Sequence, residues 1–216
     1  MFETSSLITV ARMEFSRESA QSTKFYAAAY IDAGPGETRI HHDNARAVFT
    51  AADAKVGDYL NKRFPENYAR SMDSAPLIPS LRGWSIDRTW AGNTDTRISI
   101  TGDSVVVAGI LGQESIFSRD IEYAIIDLAA VVSSMGMHFE NKAPEVNIHV
   151  SMDVVGGLPL PVMGEDGEAP RRLNTFQDVK ACTTGLPLDQ KKVSLLVRDC
   201  VSQVGLLPAR VHQVGS

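Results

Sequence analysis

Apolar and polar positions recur with a readable period over most of the chain. Leu7-Ile8-Thr9-Val10-Ala11-Arg12-Met13-Glu14-Phe15 is β-branched early and alternates later, which predicts a strand. Phe25 to Ile31 predicts a second, ended by Ala33-Gly34-Pro35-Gly36. From about Ala45 to Arg63 the apolar positions Val48, Ala52, Val56, Tyr59 and Leu60 fall on one face of a helix, with Asp43 or Asn44 as its N-cap and Pro65 as its stop. Residues 66–81, with Pro76 and Pro79, read as an irregular connection. Arg97–Thr101 and Ser104–Ala108, joined by Gly102-Asp103, form the clearest hairpin, with a type II′ turn expected at the glycine.

Ser118 is then placed to cap a helix reaching Met135. Ile121, Ala124, Ile125, Leu128, Val131, Val132 and Met135 form its apolar stripe, and Gly136 is placed for a left-handed C-terminal cap. Val146 to Val154 alternates like a strand. A last helix is expected from Asp189 to about Val204, with Val193, Leu196, Val197, Cys200 and Val204 on one face and Gly205 and Pro208 beyond it. Between these two elements, Gly156 to Pro170 is rich in Gly and Pro and reads as a long loop: an arm, lid or partner-binding segment, or else a plain surface insertion.

The predicted order is ββα, two or three strands, α, β, a long loop and α. Strands come in adjacent groups, which favours an α+β fold: a mostly antiparallel sheet with about three helices packed on one face. The expected organisation is a single domain over residues 1–216, carrying the Gly/Pro-rich loop or arm at 156–170.

Composition narrows the class. With 44% hydrophobic and 22% charged residues, the chain has the make-up of an ordinary globular protein and not of a disordered one. No apolar stretch reaches the roughly 18–20 residues of a membrane span. Met1 to Ser6 lacks the basic start and apolar centre of a signal peptide, and Cys182 and Cys200 are the only cysteines. A cytoplasmic protein with no membrane association is therefore expected. The net charge of -5 argues against a wholly basic, phosphate-binding surface. Yet the charge is uneven: residues 101–170 carry net -9 and residues 171–216 net +4, so the two segments could attract each other within or between subunits. Scatter over a folded surface is the alternative.

Four stretches could carry chemistry. His41-His42-Asp43-Asn44 holds good metal ligands just before a helix, but adjacent residues diverge and the segment lacks the i, i+4 spacing of a helical metal site. His149, Ser151 and Asp153 share one face of a strand, inviting comparison with a hydrolase triad. Residues i and i+2 on a strand sit roughly 6.5–7 Å apart, however, and no Gly-x-Ser-x-Gly elbow is present. Arg82, Trp84, Ile86, Arg88 and Trp90 share one face of an extended segment that holds both tryptophans. Arginines alternating with aromatics suit single-stranded nucleic acid or a protein interface, or, if covered, a core. Arg171 and Arg172, with Lys180, Lys191 and Lys192, follow the long loop and could meet an anionic partner.

No phosphate loop, dinucleotide fingerprint or metal spacing is present, and no cofactor is expected. The sequence favours a non-catalytic binding or assembly module. It would engage a protein partner, its own copies, or single-stranded nucleic acid such as RNA, through Arg82, Trp84, Arg88, Trp90, Arg171, Arg172, Lys191 and Lys192. The alternative is a small-molecule hydrolase or transferase using His41, His42 or the His149/Ser151/Asp153 row.

Overall fold

The computed structural model describes residues 4–15, 25–32, 40–60, 75–80, 83–90, 94–102, 104–111, 115–139, 143–153, 160–163, 171–173 and 175–203. In chain order these form α1 (Thr4–Phe15), β1 (Phe25–Asp32), α2 (His42–Tyr59), β2 (Ile78–Ser80), β3 (Gly83–Trp90), β4 (Thr94–Thr101), β5 (Val105–Ile110) and β6 (Ile116–Phe117). Then come α3 (Ser118–Met135), β7 (Glu145–Met152), β8 (Leu160–Met163), β9 (Arg171–Leu173), β10 (Val179–Thr184) and α4 (Gln190–Gln203). Seven strands make one sheet in the order β10-β7-β1-β5-β4-β3-β2, and every neighbouring pair is antiparallel. A small second sheet, β6-β8-β9, has one parallel and one antiparallel pair. The fold is α+β.

Strand alternation gives the large sheet two covered faces. Phe25, Ala27, Ala29 and Ile31 of β1, Val106, Ala108 and Ile110 of β5, and Val146, Ile148 and Val150 of β7 point to the main core beneath α2, α3 and α4. Tyr26, Ala28, Val105 and Val107 point the other way, where Leu7, Ile8, Ala11 and Phe15 of α1 cover them. Three helices thus share one face, as expected, and a fourth lies on the opposite face. That fourth helix corrects the strand expected at Leu7–Phe15. Its buried apolar residues fall at i, i+1, i+4 and i+8, a helical stripe that the β-branched run Ile8-Thr9-Val10 obscured.

Other boundaries shift for local reasons. α2 begins at His42 with His41 as N-cap, and neither Asp43 nor Asn44 caps it. The turn between β4 and β5 closes at Thr101 and Val105, so its loop has three residues and not two. Ser104 takes the left-handed conformation there at φ 58°, a three-residue hairpin in place of the expected type II′ turn. Gly136 is right-handed (φ -56°) and leads into a 3-10 turn, Gly136–His138, in place of a left-handed cap. The expected loop at 156–170 contains β8, and the irregular connection at 66–81 contains β2. Gly205, Pro208, Pro65 and Ala33–Gly36, expected to end elements, lie outside the described residues.

α3 is the centre of the molecule. Its stripe was legible as amphipathic, but its polar positions are buried too, including Asp120, Glu122, Asp127, Ser133 and Ser134. Asp120 accepts the Phe117 N–H at 2.7 Å and so closes the helix start. At the other end Ser133 Oγ meets the Tyr59 hydroxyl of α2 (2.6 Å) and accepts the Leu188 N–H (2.9 Å). Tyr59 also donates to the Leu188 carbonyl at 3.0 Å. These bonds fix the turn that leads from β10 into α4. Among the described residues, no helix is long and apolar enough to cross a membrane.

Candidate partner-binding edge

The two tryptophans and Arg88 occupy the core-facing side of β3. Among the described residues of the 82–90 face, Ile86, Arg88 and Trp90 are buried and Trp84 is half-buried, so this side is largely covered. Trp90, 1% exposed, stacks on Tyr123 of α3 with ring centroids 4.3 Å apart and planes 10° from parallel. Its Nε1 donates to Thr96 Oγ1 and to Asp127 Oδ2, each at 3.0 Å, and Thr96 Oγ1 donates to the same carboxylate oxygen at 2.8 Å. Arg88 forms a buried ion pair with Asp127. Burial pulls its guanidinium below the usual arginine pKa, and Asp53 of α2 opposes that shift. Trp84 is half-buried and meets His42 edge-on, with centroids 4.9 Å apart. Arg82 lies outside the described residues. The reason for the covering is the strand period: the residues that alternate with Gly83, Ser85, Asp87 and Thr89 face Ile98 and Ile100 of β4 and, beyond them, α3. Gly83 itself cannot carry a side chain, because a Cβ there would stand 1.9 Å from the Ile100 carbonyl oxygen.

The histidine pair at the start of α2 joins Trp84, Ile40, Pro79, Ser80 and Gly83 around a shallow hollow. His42 Nδ1 lies 3.0 Å from Asp43 Oδ1, whose side chain is otherwise fully in solvent. Among the described residues no group of three His, Cys, Asp or Glu side chains is arranged to hold a metal ion.

The row His149, Ser151 and Asp153 on β7 divides into two unrelated pairings. Asp178, just before β10, accepts from His149 Nε2 (2.7 Å) through one oxygen and from Ser151 Oγ (2.8 Å) through the other. Asp153 pairs with Arg12 of α1, Nη2 to Oδ1 at 2.5 Å. It also adds to the rise of the Tyr26 phenol to about 12, a rise caused first by burial. A hydrolase relay needs the histidine between serine and acid, so that imidazole takes the serine proton. Here the Asp178 carboxylate stands between serine and histidine, which is not that order. The arrangement ties β7 to the segment that leads into β10.

The strand so anchored is β10, an edge of the large sheet. On one side it pairs with β7 from Val179↔Val150 to Thr184↔Glu145; on the other no strand pairs with it among the described residues. α4 runs back along it, held at both ends. Lys192 Nζ donates to Thr183 Oγ1 at 2.6 Å. At the far end the Gln177 N–H donates to Gln203 Oε1 (2.8 Å), and Gln203 Nε2 donates to the Gln177 carbonyl (2.9 Å). Between these clips lies a groove of about 220 Å³ with an apolar floor and wall from Ile148, Val179, Ala181, Val193 and Leu196. Leu195 stands 45% exposed at its lip, and Lys180, Lys192 and Asp199 lie on its rim.

Of the residues singled out from sequence, Lys192 lines this groove and Lys191 stands exposed beside it in the first turn of α4, where its N–H donates to Asp189 Oδ1 at 2.9 Å. Arg171 and Arg172 lie on β9, paired with Val162 and Pro161. Sequence reasoning missed β10, Asp178, Leu195 and Asp199. The signal was present for β10: Val179, Ala181 and Thr183 alternate with Lys180, Cys182 and Thr184. No protein-family model matches the chain, and no curated protein matches it.

Proposed function

We propose that the protein is a non-catalytic binding module that takes an extended segment of a protein partner as an added strand on β10. The observation that carries this reading is the juxtaposition of an apolar groove with a strand edge that, among the described residues, no other strand pairs with. In strand addition, backbone N–H and C=O groups of the edge hold the incoming chain, and pockets beside the edge select alternate side chains. β10 supplies the first and the α4 wall supplies the second. The clips at Lys192–Thr183 and Gln203–Gln177 support the reading, because a groove already held open loses little conformational freedom on binding. Nucleic-acid stacking on Trp84, Arg88 and Trp90 draws no support from a face on which two of the three are buried.

The test is a displayed library of random extended peptides, with hydrogen exchange read along the chain. Selected peptides are expected to carry apolar residues at alternate positions and to slow exchange of the amides of 179–184. Peptides that bind while leaving those amides unchanged would overturn the assignment of the site. A library that selects nothing, on a chain whose β10 amides exchange freely, would overturn the function.

A further inference from the structure

We infer that the partner seated on this edge is a second copy of the chain, joined through β10 and α4 about a two-fold axis. The inference rests on the strand-accepting reading of the groove and supplies its occupant. Two identical strands that pair antiparallel are related by a two-fold axis, so an isologous dimer needs no further symmetry device.

The argument lies in the order of residues on α4. Lys192, Leu195, Leu196 and Asp199 all line the groove. Lys192 and Asp199 are separated by about two helical turns, and Leu195 and Leu196 fall midway between them. Turned about a two-fold axis through that midpoint, the pattern is its own complement. Lys192 meets Asp199 of the copy, Asp199 meets Lys192 of the copy, and the two Leu195 side chains meet near the axis. Each charge faces its opposite, and the half-exposed Leu195 is covered.

The strand agrees with the helix on where the axis runs. The two clips place Thr183 beside Lys192 and Gln177 beside Gln203, so α4 and β10 are antiparallel neighbours over the whole groove. Interpolating between those contacts, the midpoint of Leu195 and Leu196 lies over β10 at about residue 181, using the rise per residue of each element. Ala181 is at the middle of Val179–Thr184. An axis there sets Lys180 opposite Cys182 of the copy and keeps the two Lys180 ammonium groups from facing each other. The opposite edge of the sheet offers no such pairing: β2 has three residues, and its central Pro79 has no N–H to donate.

The experiment is sedimentation equilibrium on the full chain over a wide concentration range. Lys192→Glu, Asp199→Lys, Leu195→Glu and the double Lys192→Glu/Asp199→Lys are compared with the parent, and circular dichroism checks that each is folded. The parent is expected to dimerise. Each single charge reversal places like charges together at two symmetry-related points and should weaken the dimer by about thirtyfold. The double reversal should restore it to within about threefold of the parent, and Leu195→Glu should give a monomer. A parent that stays monomeric overturns the inference, as does a dimer indifferent to all four variants. The two failures separate cleanly. A monomer that binds extended peptides on β10 removes the second copy and keeps the strand-accepting site; a monomer that binds none removes both.

Discussion

The buried pair Arg88–Asp127 gives the sharpest test of the packing beneath α3. Asp127→Ala leaves the Arg88 guanidinium, whose side chain is 1% exposed, without its counter-ion. Breaking a buried pair from one side costs about 3–5 kcal/mol, because the remaining charge cannot reach water; the charge of Asp53, which also acts on Arg88, sets this case at the low end of that range. Trp90 Nε1 keeps Thr96 Oγ1 as an acceptor, so the indole contributes little to the loss. In a domain of this size, each kcal/mol lowers Tm by about 2–4 °C, and the expected fall is about 10 °C. Arg88→Met should cost less, since the Asp127 carboxylate retains two donors, Trp90 Nε1 and Thr96 Oγ1. The double variant Arg88→Met/Asp127→Leu removes both charges and leaves apolar side chains of similar size. It should recover to within about 1–2 kcal/mol of the parent, well above the sum of the single losses. Urea denaturation followed by tryptophan fluorescence measures all four species. As a control, Arg198 of the exposed pair Arg198–Asp199 (3.6 Å) can be changed to Ala, with an expected effect under about 0.5 kcal/mol. An Asp127→Ala loss below about 1 kcal/mol would refute the reasoning. So would a double variant as unstable as the two singles combined.

Two further outcomes follow from the opposite face of the sheet. Asp178→Ala removes the acceptor shared by His149 and Ser151, both buried, and should cost about 2–6 kcal/mol at 1–3 kcal/mol for each bond lost. It should also speed hydrogen exchange at the start of β10 more than elsewhere in the sheet, and a uniform change would contradict its anchoring role. The Tyr26 phenol, raised to about 12, favours the neutral form in the fold. Its contribution to stability is therefore complete below the ordinary tyrosine pKa of about 10 and is lost as pH rises through about 12. Absorbance at alkaline pH should show a late step that Tyr26→Phe removes and Asp153→Asn moves to lower pH; an unmoved step would deny Asp153 its part.

Legibility in the sequence tracked how directly periodicity reports burial. α2, α3, α4, the β4–β5 hairpin and β7 were legible because each buries one stripe or one alternate set of residues, and the class followed from their order. α1 was not, since Ile8-Thr9-Val10 has strand composition and only burial of Leu7, Ile8, Ala11 and Phe15 against β1 and β5 decides the matter. The full burial of α3 was hidden for another reason. Asp127 and Ser133 look like a solvated face until their partners, Arg88 and Tyr59, arrive from distant segments. The same non-locality governed the candidate sites. Trp84, Arg88 and Trp90 were correctly placed on one face of a strand, but whether that face is open depends on α3, some 30 residues on. Asp178 and Arg12, which divide the His149–Ser151–Asp153 row between them, lie 25 or more residues from the residues they bind.

The two edges of the large sheet show where function can reside in such a fold. A free strand edge invites pairing with any extended chain, and proteins that gain nothing from pairing keep their edges short, interrupt them with proline, or cover them. The β2 edge has the first two features, being three residues long with Pro79 at its centre. β10 has neither. It runs six residues without proline or glycine, its ends are secured by Asp178 and by the two clips to α4, and a groove with an apolar wall lies alongside. Its one charged residue is Lys180, which pairs in register with His149, on the face of the sheet opposite Val179 and Ala181, and borders the groove at the sheet's edge. On the proposed reading, an edge held in place in this way, and covered by no other described strand, is the one that accepts a strand. On the same reading, the charges of Lys192 and Asp199 about Leu195 and Leu196 would decide which strand, because an unrelated chain has no reason to match that order, and a second copy matches it by symmetry.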